Sequence, residues 1–276
     1  MTDQKFIALD FETTGKYPLS AEICEVALLK FTSSGEVLDK WESLIQPTKG
    51  MNPVAQSIHG LSLEDLKGAP KIENVLEEML SFIEDLPLVG HNLSFDLGFL
   101  AFDLDQFFGE MWLSRFLKSP NFCTSKLSLE LLPKLNSHRL KHLVEHFGLS
   151  EAPNHRAYQD ALTCKNVFVK LIQNCKTVKE AVGLQKDALI AADFSTLKLV
   201  DKRPEFRALV KSVKDAQPFE LVYSKGSKRD QWRKVEPLGL VLKTCGESFL
   251  VAQDPGQTQS KRFLIDKVLD SRISQG

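Results

Sequence analysis

Asp10 and Glu12 stand one residue apart in Leu9-Asp10-Phe11-Glu12-Thr13-Thr14-Gly15, just after the apolar run Phe6-Ile7-Ala8-Leu9. If that run is a strand, residues two apart project to one side, and the two carboxylates meet in one place. Close carboxylates repel each other, and a cation between them relieves the repulsion. Oxygen-only ligation suits a hard divalent ion such as Mg²⁺ or Mn²⁺. Most isolated Asp-x-Glu triplets are solvated surface, so its meaning depends on partners elsewhere. Asp96 closes the block Val89-Gly90-His91-Asn92-Leu93-Ser94-Phe95-Asp96, where an apolar run meets a glycine turn and a helix start that Asn92 or Ser94 could cap. A first-turn carboxylate there also complements the helix dipole. Asp160 lies early in a helical pattern, in His155-Arg156-Ala157-Tyr158-Gln159-Asp160-Ala161. His155 precedes it by five residues, about 140° around an ideal helix. It is therefore expected on the loop after Pro153-Asn154, from which it can move in and out of a site.

Those side chains need a scaffold to bring them together. Residues 6–9 read as a buried strand, and 23–31 and 36–45 as two more, joined through the turn Ser33-Ser34-Gly35. Residues 72–83 carry Val75, Leu76, Met79, Leu80 and Ile83 at the spacing of an amphipathic helix. Residues 87–90 read as a short inner strand, and 95–104, 127–132, 140–147 and 157–172 as helices, with Gly148 placed to stop the third of these. Strands followed by a strand–helix alternation predict an α/β fold, a mixed sheet flanked by helices. Residues 177–192 extend it as a helical connector, and Pro204 can open a short helix through 213. Beyond it, 219–223, 239–242, 248–252 and 263–269 are short strands punctuated by Gly246, Pro255 and Gly256, the pattern of a small barrel or roll. The expected division is 1–176, 177–203 and 204–276.

Together, Asp10, Glu12, Asp96 and Asp160 with His155 resemble the DEDDh (DnaQ-like) branch of the 3′–5′ exonuclease superfamily, matching all three signature blocks in order. Two further segments are similar to the family: Ile58-His59-Gly60-Leu61-Ser62, after the third strand, and residues 140–149, the helix before the third block. One departure is Phe122-Cys123-Thr124, where many relatives have an acidic residue before the Thr or Ser. The resemblance covers about residues 5–175 and implies an RNase H-like fold. It also implies two divalent ions, Mg²⁺ or Mn²⁺, about 3.5–4 Å apart on Asp10, Glu12, Asp96 and Asp160. His155 is implied as the general base that takes the attacking water's proton, a role imidazole suits near neutral pH. Phe11, Thr13, Thr14 and His59 are implied beside the terminal nucleotide. The implied substrates are single-stranded DNA or RNA 3′ ends, and the products 5′-mononucleotides.

The C-terminal blocks, residues 219–223, 233–241, 248–252 and 261–268, resemble a WYL domain, whose fold is an Sm/SH3-like β-barrel. Ser248-Phe249-Leu250 replaces the signature Trp-Tyr-Leu. The resemblance implies a nucleic-acid or nucleotide-like ligand at Arg233, Lys261 and Lys267. Trp232 or Tyr223 could stack on a base or be a core ring.

Bulk properties fit this reading. The 276 residues carry a net charge of −1, but from Lys198 onward 16 basic residues face 10 acidic ones, against 19 and 26 before it. A basic C-terminal part can attract a phosphate backbone. No apolar run approaches the ~18–20 residues of a membrane span, and the N-terminus lacks a secretory pattern. The five cysteines are odd in number and widely spaced, without a Cys-x-x-Cys pair, which predicts reduced thiols in the cytoplasm. His138, His142 and His146 recur every four residues, yet no carboxylate or cysteine partner accompanies them, so a zinc site is not expected. Two rival functions remain: a polymerase proofreading subunit, and a non-catalytic nucleic-acid-binding regulator. DNA repair is a natural setting for the leading one.

Overall fold

The computed structural model describes residues 4–186, 188–226, 228–243 and 247–274; Cys245 and Gly246 lie outside them. The chain opens with β1 (Lys5–Thr13), β2 (Ile23–Thr32) and β3 (Val37–Leu44). Helices α1 (Pro53–His59) and α2 (Ile72–Ile83) lead to β4 (Leu88–Gly90). Next come α3 (Ser94–Phe107), α4 (Met111–Arg115), β5 (Phe122–Cys123), α5 (Thr124–Leu131), α6 (Leu140–Phe147) and α7 (Ala157–Ile172). The strands form one sheet in the order β3-β2-β1-β4-β5, with β1, β2 and β3 antiparallel and β4 and β5 parallel to β1.

Alternation along β1 feeds two cores. Ile7, Leu9 and Phe11 pack on one face, with α2 and α3 residues such as Leu76, Leu80, Leu97 and Leu100. Phe6 and Ala8 pack on the other, with Ala161, Val167 and Phe168 of α7. That second face holds an aromatic cluster in which Phe6 lies 5.1 Å from Phe168, 5.6 Å from Phe31 and 5.9 Å from Phe122. Gly90 ends β4 where no side chain fits: a Cβ there would lie 2.7 Å from Leu93 Cδ1 and 3.4 Å from Leu9 O.

The helix expected over 177–192 is shorter. It stops after α8 (Val178–Leu184), because Leu189 turns extended and bridges Asn121 beside β5. A 3₁₀ turn at Ala191–Phe194 and α9 (Thr196–Lys202) follow. Asp105 of α3 clasps this stretch, accepting bonds from Trp112 Nε1 (2.9 Å), Ser195 Oγ (2.7 Å), Thr196 N (2.6 Å) and Thr196 Oγ1 (2.7 Å).

After a 3₁₀ turn at Pro204–Phe206 comes α10 (Arg207–Lys214), then β6 (Phe219–Tyr223), β7 (Trp232–Val241), β8 (Phe249–Gln253), β9 (Ser260–Leu264) and β10 (Val268–Ile273). They make a second, antiparallel sheet in the order β10-β6-β7-β8-β9. β7 is shared: Trp232–Val235 pairs with β6, and Glu236–Val241 with β8 across a bulge at Pro237/Gly239. Proline is tolerated at a bulge because no ladder N–H is needed there. Among the described residues the pairing runs open from β9 to β10 rather than closing into a ring. The strand expected over 263–269 is two, separated by a 3₁₀ turn at Ile265–Lys267. Its core includes Leu19 and draws in Phe102, both from the first part of the chain.

Candidate active site

Positions 6, 8, 10 and 12 of β1 share a face. Phe6 and Ala8 make it apolar where it meets the body of α7, and Asp10 and Glu12 make it acidic where it meets that helix's first turn. Small residues, Ala157 and Ala161, line the approach of α7, so Asp160 is carried close to the strand. One carboxylate oxygen from each of Asp10, Glu12 and Asp160 lies within 4.8 Å of the others.

Asp96 arrives from the opposite side of the strand's end. Ile7 N–H bonds Pro87 O on the β4 edge, so by period two Phe11 N–H points to that edge as well. β4 has already ended at Gly90, and Asp96 Oδ1 takes the free donor at 3.1 Å. Asp96 thus stands outside the tight trio but near enough that its charge acts on Asp10. Neither Asn92 nor Ser94 caps α3 through its side chain. Leu93 holds the cap position, and Asn92, at φ +62°, bonds Phe95 N–H through its carbonyl oxygen instead.

Burial governs the electrostatics. Asp96, Asp160 and Glu12 are 3%, 8% and 9% exposed. Burial, then Asp96, Glu12 and Asp160, hold the Asp10 carboxyl well above its usual range. Burial followed by the Asp160 and Glu25 charges pushes Glu12 up to about 8. Burial pushes Asp96 up to about 8 against the bond from Phe11 N–H. Asp160 is raised by burial too, opposed by Asn154 N–H and by His155. Four oxygen donors that cannot all ionise comfortably fit a hard divalent cation, whose charge removes the repulsion.

His155 is exposed and sits on the loop ahead of α7, as its distance from Asp160 required. Its φ is +59°, a left-handed conformation uncommon outside glycine. The loop is held on both sides: Asn154 N–H donates to Asp160 Oδ1 at 2.9 Å, and Arg156 pairs with Glu25 of β2 at 2.6 Å. Glu25 escaped the sequence reading. Its signal was the β1–β2 register, which sets Glu25 opposite Glu12.

A cleft of about 910 Å³ opens beside the carboxylates. It is lined by Phe11, Glu12, Thr13, Thr14 and His59, with Lys16 and Leu238 farther along. His59 is buried and burial lowers its pKa. Its Nδ1 accepts Leu61 N–H at 3.0 Å, which leaves the proton on Nε2, facing the Thr13 backbone. Leu238 belongs to the second sheet, where Ser20 Oγ donates to its carbonyl oxygen at 2.7 Å. Gly239 beside it lies against Tyr17, where an added Cβ would come within 2.2 Å of the tyrosine Cβ. Cys123, the family departure, is buried on β5 at the sheet edge, paired with Gly90.

The basic residues expected to bind a ligand on the second sheet are partly spent. Arg233 makes a fork on Asp254 at 2.7–2.9 Å, and Lys261 bonds the same carboxylate. Lys267 is half-buried on the 3₁₀ turn before β10. Tyr223 is a packing ring, edge-on to Phe263 at 5.2 Å. Trp232 is 40% exposed under Arg272, whose guanidinium lies 4.0 Å from the ring centre. Phe249, in the replaced signature, carries Arg262 at 4.9 Å and Lys243 at 5.5 Å over its ring. His138 lies ahead of α6 and bonds Ser128 Oγ, His142 bonds Ser137 Oγ, and His146 lies edge-on to Phe147, so the three do not form one site.

The family model described as "Exonuclease" matches residues 7–168, and the model described as "WYL domain" matches 204–273. The chain is 33% identical over 224 residues to a PolC-type DNA polymerase III of Thermotoga maritima, covering 78% of this chain and 16% of that protein. It is 29% identical over 173 residues to a DNA polymerase III subunit epsilon of Aquifex aeolicus, covering 63% of this chain and 83% of that one. The chain therefore spans under a fifth of the PolC-type relatives it matches. Among solved structures, E. coli exonuclease I with a dA16 oligonucleotide is similar over 90% of this chain and 55% of its own (TM-score 0.52, 17% identity). Exonuclease X with 5′ overhanging duplex DNA is similar over 65% and 99% (TM-score 0.51, 20% identity). These likenesses are of fold.

Proposed function

We propose, from the fact that this chain belongs to the exonuclease family, that it is a metal-dependent 3′–5′ exonuclease releasing 5′-mononucleotides from the 3′ ends of single-stranded nucleic acid. The observation that carries the proposal is the meeting of Asp10, Glu12 and Asp160 within 4.8 Å, with Asp96 adjoining and Glu12 lining the cleft. Asp10, Glu12, Asp96 and Asp160 would hold two divalent ions, Mg²⁺ or Mn²⁺. When bound, these supply charge that favours ionisation of the attacking water and stabilises the leaving 3′ oxygen.

The chain's own residues supply the rest. The imidazole of His155 takes the water's proton as general base, a contribution of roughly 10²–10⁴ in rate. Phe11 closes one side of the cleft, and Thr13, Thr14 and His59 line it next to the terminal nucleotide. Lys16 adds a positive charge along the same cleft for a backbone phosphate. On the WYL-like part, a nucleic-acid or nucleotide-like ligand would meet Lys267 and whatever charge Asp254 leaves on Arg233 and Lys261.

A second reading, a polymerase proofreading subunit, is favoured by the names of the DNA polymerase III relatives. A pull-down with replicative polymerase separates the two. The test of the activity is a 5′-labelled DNA or RNA oligonucleotide incubated with Mg²⁺ or Mn²⁺. The wild type is expected to shorten it stepwise from the 3′ end, and Asp10→Ala to be slower by at least about 10³-fold, as a metal-ligand loss requires. Intact substrates in both reactions, over DNA and RNA alike, would establish a binding module instead.

A further inference from the structure

Glu25 is a further buried carboxylate on the acidic face of β1 and β2, directly across from Glu12. It is not one of the trio that could share an ion. Both of its oxygens are already engaged. Arg156 Nε reaches each at 3.1 Å, Arg156 Nη2 reaches Oε1 at 2.6 Å, and Ala157 N–H donates to Oε2 at 3.0 Å. A carboxylate only accepts, and an arginine fork plus a backbone N–H leaves it little capacity for a cation. Glu25 is therefore an anchor.

What it anchors is the chain just after His155. On the other side of His155, Asn154 N–H is tied to Asp160 Oδ1 at 2.9 Å. His155 is the single residue between the two ties, at φ +59°. Such a backbone conformation persists in a non-glycine residue only where its surroundings over-determine it. We propose that the Glu25–Arg156 pair is a positioning element for the general base, fixing the His155 backbone so that its imidazole stays at the carboxylates rather than swinging into solvent. Neither Glu25 nor Arg156 touches the reacting atoms. The proposal rests on the nuclease reading above, with His155 as the base.

The test is a double-mutant cycle on the full chain, with kcat and KM measured on a 5′-labelled oligonucleotide at saturating Mn²⁺. Arg156→Ala is expected to lower kcat by about 10- to 100-fold with KM within about twofold, since misplacing a catalytic group costs rate rather than binding. His155→Ala with Arg156→Ala should be no slower than His155→Ala alone, because the second change acts only through the first. Arg156→Lys keeps the charge, loses the fork and should lose most of the same rate. Losses that multiply in the double variant, or that appear only in KM, overturn the proposal.

A second measurement does not depend on turnover. Amide exchange at His155 and Ala157 should quicken in Arg156→Ala and in Glu25→Gln, while α7 beyond Ala161 stays protected. Unchanged exchange contradicts the positioning role even in an active enzyme. A wild type without nuclease activity would instead sink the functional reading, and the exchange data would still decide whether the pair holds the loop.

Discussion

Glu12 and Asp10 bury charge beside charge, and that fixes how the protein responds to pH. Glu12 is raised from 4.5 to about 8 in the folded chain, first by burial and then by the Asp160 and Glu25 charges; Asp10 moves the same way. A raised carboxyl means the folded state binds more protons than the unfolded one, so stability falls as pH rises. For Glu12 the loss begins near 4.5 and is complete above about 8. The metal-free protein should therefore melt at lower temperature at pH 8 than at pH 5. Mn²⁺ should raise that temperature more at pH 8, where the carboxylates it binds are least comfortable. Thermal melts at both pH values, with and without Mn²⁺, check this; metal stabilisation that is equal at both would contradict it. The four acids and His155 stand out as candidates in the sequence because type and spacing survive there, and Asp10, Glu12 and Asp160 meet in the fold. Glu25 was not, since its meaning comes from strand register and from an arginine 131 positions away.

At the scale of elements, α3 is the informative case. Its pattern predicts a helix over 95–104, and the helix runs Ser94–Phe107, but polar as well as apolar positions are buried, including Asp96, Asp103 and Asp105. It is covered on several sides, by β1 and α2 in the first core and by the 3₁₀ turn and α9 that its own Asp105 clasps. Spacing alone shows one apolar stripe and hides the other cover. Asp105 is satisfied by that clasp, whereas Asp103 is held at about 8 by burial and by the nearby Glu22 and Glu73, only partly offset by Lys49. Asp103→Asn should therefore raise the melting temperature at pH 8 by a few degrees, on the order of 1 kcal/mol. The gain should shrink as pH falls and vanish below about pH 3, where aspartate is protonated in both states. Melting curves across that range test it, and a gain independent of pH would point elsewhere. β7 and β10 depart from the sequence pattern for a different reason. The bulge at Pro237/Gly239 let one strand continue through residues that look like a break, and the 3₁₀ turn at Ile265–Lys267 breaks a strand without glycine or proline.

Over the whole molecule, the sequence carried the mixed α/β sheet and a small β-rich second part. It did not carry how the two sheets meet. No helix among the described residues is long and apolar enough to cross a membrane. The second sheet's core takes in Leu19 and Phe102, and its Leu238 lines the cleft that begins at the carboxylates. The Ser20–Leu238 bond joins residues 218 positions apart, which neither periodicity nor local motifs encode. We propose that 1–176, 177–203 and 204–276 are the chain's units, with the last completing the cleft wall. The proposed nuclease depends on one arrangement, acidic side chains from β1, α3 and α7 converging on divalent ions. The most direct measurement is the anomalous scattering of Mn²⁺ in crystals of the wild type and of Asp10→Ala. Two Mn²⁺ peaks are expected among Asp10, Glu12, Asp96 and Asp160 in the wild type, with at least one lost in the variant. Mn²⁺ absent from this site at saturating concentration, or bound identically without Asp10, would contradict it.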